Sequence, residues 1–224
     1  MKTVKFAIGV ILSSLLSTNT VLAEQAIKTT ISTLGYSLSY VRPVTETINV
    51  RVGINSFNHV DDLEERYLKY NGQFDFQSYQ GIFDWHPNQS MFYLSGGVIY
   101  NQNEVTVTAT PKNGTYTING HEYTINDVGS LSGKLSFDRL SPYFGVGVGN
   151  PIRGTKNWNF TAEAGVMIEG IPKTTLGVRC GPGLLTGDCQ QLQGDVEIEE
   201  KYLKNAFEDY KLYPVVSLGI AYRF

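Results

Sequence analysis

Side chains that could catalyse a reaction are few in this sequence. Proton transfer and nucleophilic catalysis both need a base beside the reacting group, and histidine is the residue used most often. The chain has three histidines, His59, His86 and His121, and each lies in a polar stretch. His59 precedes Asp61 by two residues, which suits a His–Asp pair, but the acidic neighbours fit an ordinary solvated loop equally well. The sequence therefore predicts no catalytic residue and no enzyme.

Metal and phosphate ligands are equally sparse. The two cysteines, Cys180 and Cys189, have no histidine or cysteine neighbours at metal-ligand spacing. The acidic run from Asp61 to Glu65 offers at most a weak divalent-cation site. The formal charge is −3, and the chain has neither a basic patch nor a glycine-rich phosphate loop. We therefore expect no metal, no cofactor and no nucleic-acid partner.

The elements that must position any functional group are β-strands, and residues 214–224 show their pattern best. Large or apolar residues alternate there with small or polar ones: the first set is Pro214, Val216, Leu218, Ile220, Tyr222 and Phe224, and the second is Val215, Ser217, Gly219, Ala221 and Arg223. Alternation with a period of two indicates an extended strand with two different faces. Bulky apolar side chains outside and small ones inside are typical of a barrel in a membrane. A soluble lipocalin-like barrel or a β-sandwich is the alternative.

The ending Tyr222-Arg223-Phe224 resembles the closing strand of bacterial outer-membrane barrels of the small OmpA type. In that family the C-terminal aromatic residue is an assembly signal, so the resemblance assigns this role to Tyr222 and Phe224. It also implies contact with the barrel assembly machinery, with outer-membrane lipid and with lipopolysaccharide. Location in the outer membrane of a Gram-negative cell is the expectation. The resemblance identifies a location class and no activity.

Residues 1–23 are expected to be a signal peptide. Lys2 and Lys5 form a positive start, residues 6–16 are mostly apolar, and Val21-Leu22-Ala23 resembles a cleavage site. The apolar run is too short to span a membrane as a helix. Export to an oxidising compartment predicts that Cys180 and Cys189 form a disulfide. The barrel would then comprise residues 24–224.

The strand count predicts the fold class, an all-β protein with a closed antiparallel transmembrane β-barrel. Alternating segments begin near residues 34, 47, 74, 91, 135, 158 and 212. These are seven strands, and a single-chain bacterial barrel has an even number, so we expect eight. The eighth strand is either Ile27–Ser32, with a bend at Gly35, or Lys173–Arg179. A change of alternation near residues 139–142 predicts a bulge within the strand that begins near 135.

Long and short connections alternate along the chain, as extracellular loops and periplasmic turns do in outer-membrane barrels. The long loops are expected near 58–72, 102–132 and 180–210, with short turns near 43–46, 86–90 and 150–157. Asn119-Gly120 is a strong turn signal and predicts a hairpin within the second long loop. Apolar residues at helical spacing among charged ones predict a short amphipathic helix near 195–210, capped by Gly194 or Asp195.

Charged residues on the inward faces pose the functional question. Arg51, Asp84, Glu163 and Arg223 all fall on faces assigned to the lumen. Buried charges must pair, because an isolated buried ion is costly, and an eight-stranded barrel is just wide enough for its side chains to fill it. Gly145, Gly147 and Gly149, which alternate on an inward face, leave room for bulky neighbours or for a narrow cavity.

Three functions remain open from the sequence. The first is a structural or surface-interaction barrel whose function is carried by extracellular loops that bind an unidentified ligand. The second is a narrow channel for small solutes, lined by Arg51, Asp84, Glu163 and Arg223. The third is a lipid-modifying enzyme, but His121-Glu122-Tyr123 lacks the serine of the His-x-Ser pair of lipid A deacylases. The first is the function we expect.

Overall fold

The described part of the chain contains thirteen strands, one α-helix and a short 3-10 helix, Pro87–Gln89. The computed structural model describes residues 24–64, 68–111, 114–154 and 156–224, so the expected signal peptide lies outside the described residues. The strands are β1 Ala26–Ser32, β2 Gly35–Pro43, β3 Ile48–Glu64, β4 Leu68–Trp85, β5 Phe92–Asn101, β6 Glu104–Pro111, β7 Thr115–Ile118, β8 His121–Thr124, β9 Val128–Ser136, β10 Leu140–Val148, β11 Trp158–Ile168, β12 Lys173–Cys180 and β13 Leu212–Arg223. The helix α1 is Thr186–Ala206.

Eight of these strands close into an antiparallel barrel, which confirms the predicted fold class. The order around the barrel is β4-β3-β2-β1-β13-β11-β10-β5, and β5 pairs again with β4. The pairing of β1 with β13 joins the first and last described strands, with Ala26 opposite Arg223 and Ser32 opposite Ser217. The segment Ile27–Ser32 is therefore the eighth barrel strand, separated from β2 by a turn.

The barrel wall has an apolar outside. Outward side chains such as Phe160, Leu218 and Tyr36 are exposed, whereas inward residues such as Ala221 and Met167 are fully covered. The alternation of large apolar residues with small or polar ones therefore sorts the side chains between the two faces as the sequence predicted. Separately, no helix among the described residues is long and apolar enough to cross a membrane.

The two ends of the barrel differ. Glu24, Phe224 and the connections near 44–47, 86–91 and 149–157 lie at one end, which we call the turn end. The other end carries the upper β3–β4 hairpin (residues 57–76) and residues 102–139 and 169–211, which together we call the flap. In the flap the first half of β4 pairs with β6, β6 with β9, and β9 with β12. A five-stranded sheet thus continues from one side of the barrel wall.

Three sequence expectations about this region need correction. Residues 58–72 were expected to be an exposed loop, but those described are the paired ends of β3 and β4, with Asp61 opposite Gly72. These ends of β3 and β4 extend beyond the barrel, so polar residues are tolerated on both faces of the hairpin. The strand expected near 135 with a bulge is two strands, β9 in the flap and β10 in the barrel. The segment Lys173–Arg179 is a strand, but it belongs to the flap.

The helix also differs from its predicted bounds of 195–210. It begins at Thr186, inside the expected cysteine loop, and ends at Ala206. Asp195 is not its cap; it lies in the middle of α1 with its side chain buried.

The predicted disulfide between Cys180 and Cys189 is confirmed, with a Cα–Cα distance of 5.8 Å. It ties the first turn of α1 to the end of β12.

The flap has a hydrophobic core of its own. Ile118, Tyr123, Val128, Leu192 and Val196 pack together beneath α1. The predicted hairpin at Asn119-Gly120 is confirmed as β7–β8, and both turn residues have positive φ, which asparagine and glycine adopt most readily. At the open edge of β12, the backbone N–H of Leu176 donates to Glu200 of α1 at 2.8 Å. The helix therefore covers both the apolar face and the free edge of this sheet.

Candidate functional site

Four charged side chains meet in the middle of the barrel lumen. Arg51 donates from Nε and Nη2 to the two carboxylate oxygens of Asp84, both at 3.1 Å, and from Nη2 to Glu163 at 3.0 Å. Lys28 Nζ lies 3.5 Å from the other oxygen of Glu163. All four side chains are less than a tenth exposed. Two cations thus face two carboxylates, which is the balance that buried charges require.

Hydroxyl groups complete this lumen network. Tyr143 donates to Glu163 at 2.6 Å and Tyr93 donates to its second oxygen at 3.0 Å, and Ser95 donates to Asp84 at 2.7 Å. The charges and these hydroxyls come from six of the eight barrel strands, namely β1, β3, β4, β5, β10 and β11. The network therefore ties opposite walls of the barrel across the lumen.

Three of the four predicted lumen charges take part in this network. Arg51, Asp84 and Glu163 meet as described, but Arg223 lies at the turn end, where it donates to Glu24 at 3.0 Å and to the carbonyl of Ile152 at 2.9 Å. The four residues named for a channel lining do not form one continuous row. Tyr222 and Phe224 lie at the turn end and face outward; their role as an assembly signal stays a prediction.

Sequence reasoning did not identify Lys28 or Tyr143 as members of the network. Lys28 was missed because β1 was one of two candidates for the eighth strand and its faces were not assigned. Within β1, however, Ile27, Thr29 and Ile31 alternate with Lys28 and Thr30, so the inward lysine could have been identified once the strand was accepted. Tyr143 follows the change of alternation at 139–142, which obscured its orientation.

An apolar layer closes the lumen on the flap side of the network. Leu34, Ile82, Ile99, Tyr143, Met167 and Val215 form one buried cluster. Between this layer and the charges is a cavity of about 20 Å³, which holds about one water molecule. In the described barrel the centre of the lumen is therefore packed with side chains.

The inward glycines of β10 make this packing possible. A Cβ at Gly147 would overlap the ring of Tyr93, and a Cβ at Gly145 would lie 2.6 Å from the hydroxyl of Tyr143. Of the two sequence interpretations, room for bulky neighbours and a narrow cavity, the structure supports the first for these two positions. The glycines hold space for the tyrosines that bond Glu163.

Gly147→Ala should destabilise the barrel by about 1 to 3 kcal/mol, because the added methyl group displaces Tyr93 from its bond to Glu163. Urea unfolding of the refolded protein in detergent measures this change. Gly96→Ala is the control, since a Cβ there would meet no atom within 4 Å. Equal stabilities for the two variants would contradict the packed lumen.

The three histidines lie apart from this network and have separate partners. His59 packs between Phe57 and Phe74 in the upper β3–β4 hairpin, with ring centroids 6.1 and 6.5 Å away. His86 bonds the carbonyl of Ser90 through Nδ1 at the turn end. His121 bonds Asp195 at 2.9 Å. Within the described segments no serine, threonine or cysteine side chain bonds any of them, and no cluster of metal ligands occurs.

Asp195 joins α1 to the β7–β8 hairpin. Its carboxylate accepts hydrogen bonds from the side chains of Asn119, His121 and Tyr123. The bond from Asn119, followed by that from Tyr123, holds the pKa of Asp195 below its ordinary value. Burial, together with the bond to Asp195, raises the pKa of Tyr123 to about 12. The hairpin therefore stays fixed to the helix by an ionised carboxylate at neutral pH.

Glu169 lies just beyond β11, where the barrel meets the flap. It accepts a hydrogen bond from Asn101 at 2.8 Å, but burial raises its pKa to about 7. The folded protein therefore holds this proton more tightly than the unfolded chain, in which the pKa of a glutamate is about 4.3. The contribution of Glu169 to stability is full at low pH and is lost as the pH rises through 7.

Glu169→Gln should remove this loss of stability at rising pH. Relative to the parent, the variant should gain on the order of 2 kcal/mol in the free energy of unfolding between pH 5 and pH 8. Urea unfolding at the two pH values measures the gain. Stability profiles that run parallel from pH 5 to pH 8 would show that Glu169 does not carry a raised pKa.

No protein-family model matches the chain, and no curated protein matches it either. Solved structures do resemble it. The crystal structure of Acinetobacter baumannii CarO superimposes with a TM-score of 0.60 at 20% identity, covering 92% of this chain and 100% of that one. CarO2 from the same organism gives 0.58 at 20% identity with the same coverage. A major outer membrane protein from Thermus thermophilus gives 0.39 at 14% identity, covering 91% of this chain and 100% of that one. The likeness to the two CarO structures shows a shared barrel fold.

Proposed function

We propose that this chain is an integral outer-membrane protein whose barrel is a rigid anchor and whose function is recognition by the flap outside the cell. The observation that carries the proposal is the contrast between the two halves of the molecule. The barrel lumen is filled by the charged network and the apolar layer, whereas the flap has its own core, helix and disulfide. The flap therefore has a fixed shape that a ligand can recognise.

The membrane location is supported by the barrel surface. Trp158 and Tyr222 pack together at the turn end, with ring centroids 4.9 Å apart, and Tyr79 and Tyr100 pair nearer the flap at 6.4 Å. Aromatic girdles on both sides of an outward apolar band are typical of outer-membrane barrels. We propose that outer-membrane lipid surrounds this band, with lipopolysaccharide near the flap. We further propose that a signal peptide directs export and that the assembly machinery reads Tyr222 and Phe224.

The two other functions that the sequence leaves open find less support. A solute channel needs a path past Arg51, Glu163 and the apolar layer, where the cavity is about 20 Å³. A lipid-modifying enzyme with a His-x-Ser pair would need a histidine beside a nucleophile, and the described contacts of His59, His86 and His121 include no such partner. We therefore propose a binding protein without catalytic activity.

Surface labelling of intact cells tests this proposal. A short epitope inserted between Asn119 and Gly120, at the exposed turn of β7–β8, should be detected by antibody on intact cells. The same epitope placed between Thr45 and Glu46, at the turn end, should be detected only after the outer membrane is opened. Detection of both epitopes only in opened cells would overturn the proposed orientation.

A further inference from the structure

The flap sheet has one polar and one apolar face. Along β6, Val105, Val107 and Ala109 share a face, and Thr106 and Thr108 share the other. The pairing register carries the apolar face across the sheet, with Val107 opposite Gly133 of β9 and Gly133 opposite Leu176 of β12. The α1 helix and the β7–β8 hairpin lie over this face. It is therefore the inner surface of a small two-layer unit.

The two layers do not meet everywhere. A cavity of about 290 Å³ remains between the sheet and its cover, with Val107, Ala109 and Leu176 on one side and Ile118 and Val196 on the other. Gly133 lies in its floor and contributes no side chain, and a Cβ there would come no closer than 3.4 Å to Leu176. The hollow thus exists because a glycine occupies the centre of an otherwise aliphatic face.

The cover of the cavity is firmly held. The disulfide from Cys180 to Cys189 fixes one end of α1. Asp195 and Glu200 bond the hairpin and the edge of β12, respectively. A cover held at three places cannot readily collapse to fill the space, so the mainly apolar pocket persists, partly open to solvent, and can accept an apolar molecule.

The ionisable group among the described residues that line the cavity is Glu199. One of its oxygens accepts the backbone N–H of Asn119 at 2.9 Å. Its other oxygen, Oε2, has no hydrogen-bond partner within the described parts of the chain. A ligand in the cavity would therefore meet aliphatic side chains over most of its surface and the side chain of Glu199 at one point.

We propose that this cavity binds a small amphiphilic cation, with an apolar body against Val107, Leu176 and Val196 and an ammonium group beside Glu199. The inference rests on the proposed recognition function of the flap and names the ligand class for it. A volume of about 290 Å³ lies at the lower end of the range of small-molecule pockets. It is too small for a helix of a partner protein, which is about 10 to 12 Å across. The negative charge favours a cation over an anion of the same size.

Methyl NMR of the full chain, folded in zwitterionic micelles, tests the proposal. The probes are 2-phenylethylamine and 3-phenylpropanoate, which share an apolar body and differ in charge. The amine should shift the methyl signals of Val107, Leu176 and Val196 and should saturate at a concentration about two to five times lower than the acid. The lipid-facing methyls of Val52 and Leu94 report simple partition into the micelle. No saturable shift in the flap methyls would overturn the proposal.

Three variants sharpen the test. Gly133→Val places a side chain in the floor and should abolish the shifts, and Gly133→Ala should weaken them if the valine variant does not fold. Glu199→Gln keeps an acceptor for Asn119 and should remove the preference for the amine. Thr106→Val, on the opposite face of the same sheet, should bind as the parent does. An amine preference that survives in Glu199→Gln would contradict the assigned site.

Failure of this proposal can be told apart from failure of the proposed function. Binding in micelles does not depend on where the flap lies in the cell, whereas epitope exposure does not depend on the ligand. A flap that is displayed but gives no saturable shifts overturns the ligand class alone. A flap that binds the amine but is hidden in intact cells overturns the extracellular role alone.

Discussion

Glu163→Gln should lower the free energy of unfolding of the barrel by about 3 to 5 kcal/mol, the cost typical of breaking a buried ion pair by removing one partner. The substitution leaves Arg51 and Lys28 facing Asp84 as the remaining carboxylate of the network. It keeps the size of the side chain and an acceptor oxygen, so the loss of charge is the principal change. Urea unfolding in detergent micelles, followed by the mobility of the folded band, measures the effect.

An exposed ion pair provides the matched control for this experiment. Asp138 bonds Lys173 at 2.8 Å, and both side chains are at least half exposed. Asp138→Asn should therefore change the free energy of unfolding by less than about 1 kcal/mol. If Glu163→Gln lowered the free energy of unfolding by no more than Asp138→Asn does, the lumen charges would be solvated. The lumen would then hold water rather than a packed network.

Removal of the disulfide should loosen α1 without opening the barrel. The double variant Cys180→Ser, Cys189→Ser frees a short loop, with a sequence separation of nine, and a loop of this length corresponds to about 3 kcal/mol in the chain-entropy model. The residues affected lie in the flap, which is connected to the barrel by the sheet and by chain linkers. The loss should therefore be local.

Hydrogen exchange separates the two parts of the molecule. Amides of α1 in the double variant should exchange about a hundred times faster than in the parent. Amides of β11, which lies in the barrel, should exchange at unchanged rates and serve as the internal control. Unchanged exchange in α1 would show that Asp195 and Glu200 hold the helix without the covalent link.

The barrel itself was predictable because its alternation obeys one physical rule. The exposed outer residues of β2 and β13 are large and apolar, and their inward neighbours are small or polar, so each strand could be recognised on its own. The position of the eighth strand could not be decided that way. Both Ile27–Ser32 and Lys173–Arg179 form strands, and the choice between them depends on long-range pairing with β13 or with β9.

The flap was the least predictable region because its strands follow different rules. The ends of β3 and β4 extend beyond the barrel, so residues such as Asp61 and Asp62 are exposed in an extended hairpin. The sequence pattern predicts a start of the helix too far along the chain, because Asp195 resembles a cap. In the structure its carboxylate instead binds Asn119, His121 and Tyr123 of the β7–β8 hairpin. That partnership depends on tertiary structure and has no local sequence signal.

The charged network of the lumen could be predicted from the sequence only in part. Alternation identified Arg51, Asp84 and Glu163 as inward charges, and the need for pairing predicted that such charges meet. It did not show that Arg223 is separated from them at the turn end, where it bonds Glu24 and Ile152. Position along the barrel axis depends on strand stagger, which the sequence pattern does not specify.

Conductance across a planar lipid bilayer tests the central claim most directly. The parent protein, reconstituted at high protein load, should give no stepwise currents, because the network around Glu163 and the apolar layer of Ile82, Ile99 and Met167 fill the lumen. Insertion is verified in the same preparation by the heat-dependent shift of the folded band. Discrete, reproducible current steps from correctly folded protein would contradict the sealed barrel and would restore the channel as its function.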